Sequence, residues 1–211
     1  MQTRSPLPAA IALLLIAGVV ASPACGQERE VRKEKRVKNP KVLDWVREAP
    51  FSDPVRLHAK PNFSYEQWFA RGRALPDAVD TLVELLNNED PKNPSGDGMR
   101  VAYGLGWIGD RRKPVVDALI QSLNSTDNAL RSESVSALGR LGETSALPLF
   151  EELVKDKKED INVRGNACVS IGRLGIPSGA LVLEQALKDP EQFIVLCAQE
   201  GLKLLREGAK K

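Results

Sequence analysis

Histidine is almost missing from this sequence. His58 is the only one, and cysteine occurs three times, at Cys25, Cys168 and Cys197. No second histidine and no Cys-x-x-Cys pair is available, which argues against a zinc site or a histidine-based di-iron centre and excludes haem attachment through Cys-x-x-Cys-His. No serine stands in a Gly-x-Ser-x-Gly context, and no glycine-rich loop is built to cradle a phosphate. Aromatic residues make up only 5% of the chain, and 30 Lys and Arg against 28 Asp and Glu leave a formal charge of +2. So small an excess, with no stacking platform or groove-reading module, does not describe a nucleic-acid binder.

Long apolar runs are also scarce. The one unbroken run, Ala9–Val20, is short for a membrane span. It follows Arg4 and precedes small residues, the pattern of an export signal over residues 1–26. Two small-x-small cleavage sites fit, after Ala24 or after Gly26. Cys25 also resembles the cysteine of a bacterial lipoprotein signal, although Ser22-Pro23-Ala24 lacks the usual bulky aliphatic residue. Residues 27–39 are almost all charge with both signs interleaved, a solvated linker. Residues 40–64 are broken by Pro50, Pro54 and Pro61, with a short helix expected around Val42–Val46. The aromatics Trp45, Phe51 and Phe63 suit a cap over the first repeat.

What is abundant is repetition. Asp127-Asn-Ala-Leu-Arg131 and Ser136-Ala-Leu-Gly139-Arg-Leu-Gly142 return as Asp160-Ile-Asn-Val-Arg164 and Ser170-Ile-Gly172-Arg-Leu-Gly175. Matching aspartates, arginines and glycines all lie 33 residues apart, and Leu105-Gly106-Trp107-Ile108-Gly109 sits 33 before the first block. A fixed period of that size marks an array of supersecondary units. Apolar residues recur at helical spacing, as in Leu130, Val135, Leu138 and Leu141. Asp127 and Asp160 fall where N-caps belong, and Gly142 and Gly175 where a first helix must end. Gly139 and Gly172 lie inside helices, at a cost of ~1 kcal/mol each against alanine, which points to close helix approach. Second amphipathic runs follow at 115–123, 147–153 and 181–187, with a blurred copy at 68–86 and a lone helix after Ile194. The expectation is about four helix pairs and a terminal helix over residues 65–211. Each pair is stabilised by the next.

This motif set resembles the HEAT-like repeats first noted in phycobilisome lyases, clearly over residues 127–190 and less so over 65–205. The resemblance implies an all-α fold, a right-handed α-solenoid of stacked antiparallel helix pairs of the HEAT-like or armadillo type. It implies that Asp127, Arg131, Asp160 and Arg164 form a ladder between neighbouring repeats, although their i,i+4 spacing also permits pairing within one helix. It implies that second helices line the concave side, which makes Asp80, Glu84, Asp117, Gln121, Glu152 and Glu184 candidate partner-binding residues, with a solvated polar face as their plain reading.

Trp107 breaks the pattern. Its equivalents are Arg140 and Arg173, so the slot should face water. Either the long 87–98 loop or the N-terminal segment covers the indole, which is the expectation here because exposed apolar surface is uncommon, or it belongs to a partner surface, where tryptophan is enriched. Residues 87–98 are rich in side-chain oxygen, but the ligand spacing of a calcium loop is not there. Cys168 and Cys197 fall on adjacent helices and are expected as free thiols rather than a disulfide.

The functional expectation is a non-catalytic protein–protein interaction scaffold in the cell envelope, exported and monomeric, with no cofactor and no nucleic acid. It would bind an unidentified protein on the concave face and touch membrane only if Cys25 is lipidated. The alternatives are a chromophore-lyase-like or other enzyme-accessory module, and a lipid-anchored structural envelope protein.

Overall fold

The computed structural model describes residues 38–48, 64–92 and 94–208. The export segment, most of the charged linker, Cys25, Phe51, His58 and Phe63 lie outside the described residues. Ten α-helices run in order through the described residues: α1 Pro40–Glu48, α2 Tyr65–Ala74, α3 Ala78–Asn87, α4 Gly98–Ile108, α5 Lys113–Ser122, α6 Asn128–Leu141, α7 Leu147–Lys155, α8 Ile161–Leu174, α9 Ala180–Ala186 and α10 Gln192–Gly208. Helices α2 to α9 form four antiparallel pairs, and α10 is a first helix standing alone. The first helices α4, α6, α8 and α10 pack side by side in one layer, and the second helices α3, α5, α7 and α9 form the other.

The repeat pattern translates directly into helix ends. Asp127 accepts from the backbone N–H of Ala129 at 2.8 Å, and Asp160 from that of Asn162 at the same distance. Each carboxylate thereby satisfies donors that the first turn leaves orphaned. Gly142 and Gly175 close the same helices at φ 66° and 69°, a left-handed conformation that side chains resist. After Gly142, Glu143 N–H returns to the Leu138 carbonyl at 3.1 Å, which ties off the helix end. A 3-10 turn then leads into the second helix, Thr144–Ala146 in one repeat and Pro177–Gly179 in the next.

Interior glycines set the spacing of the first-helix layer. A Cβ added to Gly172 would sit 2.6 Å from the Gly201 Cα, and one on Gly106 would sit 2.8 Å from the Ala137 Cα. The second helices contain no glycine, so no such close backbone approach draws them together, and their Leu82, Leu119, Phe150 and Leu183 are fully buried. A stack that is tighter in one layer is recessed on that layer's side, so the first helices present the recessed face. A continuous apolar core runs between the layers from Val42 to Leu202.

The array is closed at its N-terminal end by α1. Trp45 stacks on Trp68 with ring centroids 4.2 Å apart. Each indole N–H donates to the other residue's backbone carbonyl, at 2.7 and 2.8 Å. The polar edges of two large buried rings are thereby satisfied. Gly72 leaves the room that Trp45 occupies.

Ion pairs stitch successive repeats together. Arg131 reaches Glu159 at 2.6 Å and the Ser125 carbonyl at 2.7 Å. One period later, Arg164 reaches Asp189 and the Val154 carbonyl, and Lys157 also binds Asp189. Asp127 and Asp160 serve instead as caps of their own helices, and Asp160 further accepts from Asn128 of the preceding repeat at 3.1 Å. The acids that meet the arginines are in the loops before the next first helix. There they stand at the start of the following repeat, within reach of a long guanidinium.

Candidate functional site: the recessed face around Trp107

Trp107 sits in the last turn of α4, between the first helices of the neighbouring repeats. Phe69 of α2 stacks on it, with centroids 4.8 Å apart and planes 25° apart. From α6, on the other side of α4, the Arg140 guanidinium lies 5.1 Å from its ring centre and 5.1 Å from that of Tyr103. Such cation–π contacts hold both partners in place. Arg73 donates to the Trp107 carbonyl at 2.9 Å, which satisfies a C-terminal carbonyl of α4. With ring neighbours from two repeats, the indole still keeps 41% of its surface exposed. Among the described residues its ring and cation contacts are Phe69, Tyr103 and Arg140.

Beyond Trp107 the face becomes polar and charged. Arg140 also donates to Glu133 at 2.6 Å, and both side chains are mostly shielded. Burial raises the Glu133 carboxyl above its ordinary range, while Arg140 and Arg173 pull it back. Burial, and then the nearby Arg140 charge, lowers the affinity of Arg173 for its proton. Ser132 and Ser136 form part of the floor and are nearly buried. The Asn166 amide donates to the Ser132 hydroxyl at 2.8 Å. Small, shielded side chains on an outward helix face are the signature of a recess.

The second-helix residues stand elsewhere. Asp80, Glu84, Asp117, Gln121, Glu152 and Glu184 are all exposed and spread over α3, α5, α7 and α9. Asp80 is held by Arg112 at 3.0 Å, and Asp117 by Lys113 at 2.7 Å. They line the second-helix layer, so the structure does not gather them on the recessed face.

Loop 87–98 is tied internally. The Ser95 hydroxyl donates to Glu89 at 2.9 Å, Arg47 to Asp97 at 2.6 Å, and Thr126 N–H to the Pro91 carbonyl at 2.8 Å. Among the described residues, no group of three or more His, Cys, Asp or Glu side chains is placed to hold a metal ion. Cys168 and Cys197 are free thiols. Burial, with Cys197 nearby, pushes the Cys168 thiol up to about 12, so at neutral pH it is protonated and unreactive. No described helix is long and apolar enough to cross a membrane.

Tyr103, Glu133 and Phe69 did not stand out in the sequence. The 33-residue period did place Arg140 and Arg173 in the slot of Trp107. The signal for Phe69 was the blurred first copy, where it stands three residues before Gly72 as Tyr103 stands three before Gly106.

Comparison with known proteins agrees with this architecture. The HEAT-repeat family model matches residues 99–161 and 116–203. The chain is a HEAT-like repeat protein. Within that class it is similar to the phycocyanobilin lyase subunit alpha of Picosynechococcus sp., 31% identical over 91 residues, or 41% of this chain. That match spans 33% of the relative's own length. Among solved structures, the complex of CpcE and CpcF of phycocyanin lyase from Nostoc sp. PCC7120 aligns with TM-score 0.57 and 19% identity. It covers 80% of this chain and 65% of that one. Human deoxyhypusine hydroxylase in complex with glycerol aligns with TM-score 0.52 and 21% identity, over 80% and 64% of the two chains. At these identities the two structures establish the fold alone.

The comparisons correct one expectation. The chain was expected not to be an enzyme, yet its relatives, though distant, are a lyase and a hydroxylase. The sparse histidines and cysteines carried that expectation, and they exclude only reaction centres built from those side chains. Helical repeats bring together residues far apart in sequence, and no linear motif reports such a constellation.

Proposed function

We propose that this chain is a lyase-like enzyme-accessory module that holds a protein partner on its recessed first-helix face. The observation that carries the reading is the exposed Trp107 indole, fixed between Phe69 and Arg140 in a slot that later repeats fill with arginine. A rigid, partly exposed tryptophan beside an arginine has the composition of an interface anchor. The similarity to a lyase subunit supports it, as does the alignment with a structure that is itself a complex of two lyase proteins. The apolar run and small residues of the first 26 positions support an export signal, and with it a role outside the cytoplasm.

The test is site-specific photo-crosslinking in the source cells, with the crosslinker at position 107 and, as control, at position 181 on the second-helix layer. The reading expects a discrete protein adduct from position 107 and none from position 181. Equal labelling from both positions, or none from 107, overturns it. Mass spectrometry of the mature N-terminus checks export: an intact Met1 refutes it.

A further inference from the structure

We propose that the recessed face binds an extended acidic segment of its partner, with an apolar side chain against Trp107 and carboxylates three and six residues further on against Arg140 and Arg173. The proposal rests on the reading above that the partner is a protein, and it specifies the chemistry of the contact.

The spacing comes from the fold. Trp107, Arg140 and Arg173 occupy the same slot of successive first helices, 33 residues apart in each step. Neighbouring helices pack about 8–10 Å apart, and glycine contacts such as Gly172 against Gly201 keep this layer at the close end of that range. A polyproline-type strand rises about 3.1 Å per residue with three residues per turn, so every third side chain points the same way, about 9 Å apart. Ligand and row therefore share one repeat, and an α-helical ligand, at about 5.4 Å per turn, does not.

The chemistry follows the same row. Trp107 offers an apolar edge that is already immobilised, so little side-chain entropy remains to be lost on binding. Arg140 is held by Glu133 through one nitrogen of its fork. Arg173 is exposed and makes no ion pair among the described residues. The row places Arg140, Arg173 and Lys203 near Glu133 and Glu200, so cations are in excess, and a planar guanidinium suits a carboxylate. Those two interspersed carboxylates repel a continuous phosphate backbone, which disfavours a nucleic acid on the same track.

The test uses the full chain and fluorescein-labelled nine-residue Pro/Ser peptides, read by anisotropy at low ionic strength. The first has leucine at position 1 and glutamate at positions 4 and 7. The second has lysine at positions 4 and 7, and the third moves the glutamates to positions 3 and 6. The first peptide is expected to bind with Kd on the order of 10–100 µM. The other two should bind at least tenfold more weakly. Arg173→Glu, a change at an exposed side chain, is expected to weaken the first peptide at least tenfold while circular dichroism stays as in the parent and Tm falls only by the few degrees that a reversed charge at a helix C-terminus costs. Equal binding of all three peptides, indifference to Arg173→Glu, or tighter binding of a single-stranded RNA of similar length overturns the proposal. Crosslinking from position 107 separates the two levels: a protein adduct there without acidic-peptide binding sinks this inference and leaves the protein-partner reading standing.

Discussion

Asp189 is the residue whose replacement tests the physics of the stack most directly. Its side chain has no exposed surface, and Arg164, which binds it, keeps only 4%. Burial alone would raise the Asp189 carboxyl. Hydrogen bonds from Arg164, Lys157 and the Glu191 backbone N–H outweigh it and hold the group at about 2, below the ordinary aspartate value of 3.8. A difference of nearly two units corresponds to about 2.5 kcal/mol of folding stability. Because the folded-state value is depressed, that contribution is complete above about pH 5 and is lost as pH falls toward 2. Asp189→Asn keeps the shape and removes the charge, which leaves the Arg164 guanidinium buried without its counter-ion. Removal of one partner of a buried pair costs about 3–5 kcal/mol. Urea unfolding at pH 7, followed by circular dichroism, should show a midpoint lower by roughly 1–2 M. In the variant, stability should also fall less steeply between pH 5 and pH 2. The double variant Arg164→Met/Asp189→Asn should recover most of the loss, since it leaves no uncompensated charge. If Asp189→Asn stays within about 0.5 kcal/mol of the parent, or the double variant is no better than the single, the pair is not the inter-repeat clamp described here.

Four further changes read other parts of the stack. Gly172→Ala places a methyl against the Gly201 backbone, which cannot rotate away, and should cost about 2–3 kcal/mol by thermal unfolding. Gly175→Ala, where a Cβ meets nothing within 4 Å but φ is 69°, should cost only about 1–2 kcal/mol; equal losses at the two sites would refute the close-approach explanation. Trp45→Ala removes the cap and its hydrogen bond to Trp68 and should cost about 3–5 kcal/mol, with new dye-binding apolar surface on the first repeat. Ser134→Ala removes a fully buried hydroxyl whose oxygen has no hydrogen-bond partner, so stability should hold or rise by up to about 1 kcal/mol; a clear loss would show that the hydroxyl is satisfied in solution.

The parts of this fold that were legible in sequence are those set by local chemistry. Asp127 with Gly142, and Asp160 with Gly175, announce helix ends because N-caps and left-handed C-caps restrict residue type. Gly139 and Gly172 announce close packing because nothing else justifies glycine inside a helix. Contacts between repeats were less visible. Glu159 and Asp189 meet the arginines from loops, where length varies and no period marks them. The reciprocal Trp45–Trp68 stack joins α1 to α2 across 23 residues, and neither element carries a clean copy of the repeat. Phe69 and Tyr103 flank Trp107 from positions that read as ordinary amphipathic residues. Which layer is recessed depends on interhelix spacing, and the glycines showed it only once their neighbours were known.

The arginine row alone would make a weak argument for binding. Arg140 and Arg173 stand in the last turns of their helices, where a cation is favourable without any ligand, by about 0.3–1 kcal/mol. Repetition would preserve such residues for stability. Trp107 is different, because an indole gains nothing from the helix dipole and leaves 41% of its surface in water. Trp107→Arg therefore separates the two explanations, since it restores the repeat's own residue to the slot. Arg140 already tolerates Arg173 as its neighbour, and the new cation gains the dipole interaction as it loses the stack on Phe69. Folding stability should stay within about 1 kcal/mol of the parent. Adduct formation from a crosslinker moved to position 173 should fall sharply, because the anchor is gone while the rest of the face remains. If the adduct persists undiminished, the indole is not the anchor and the row serves stability alone. If instead the variant unfolds, Trp107 belongs to the N-terminal aromatic core, and its exposed edge has no bearing on recognition.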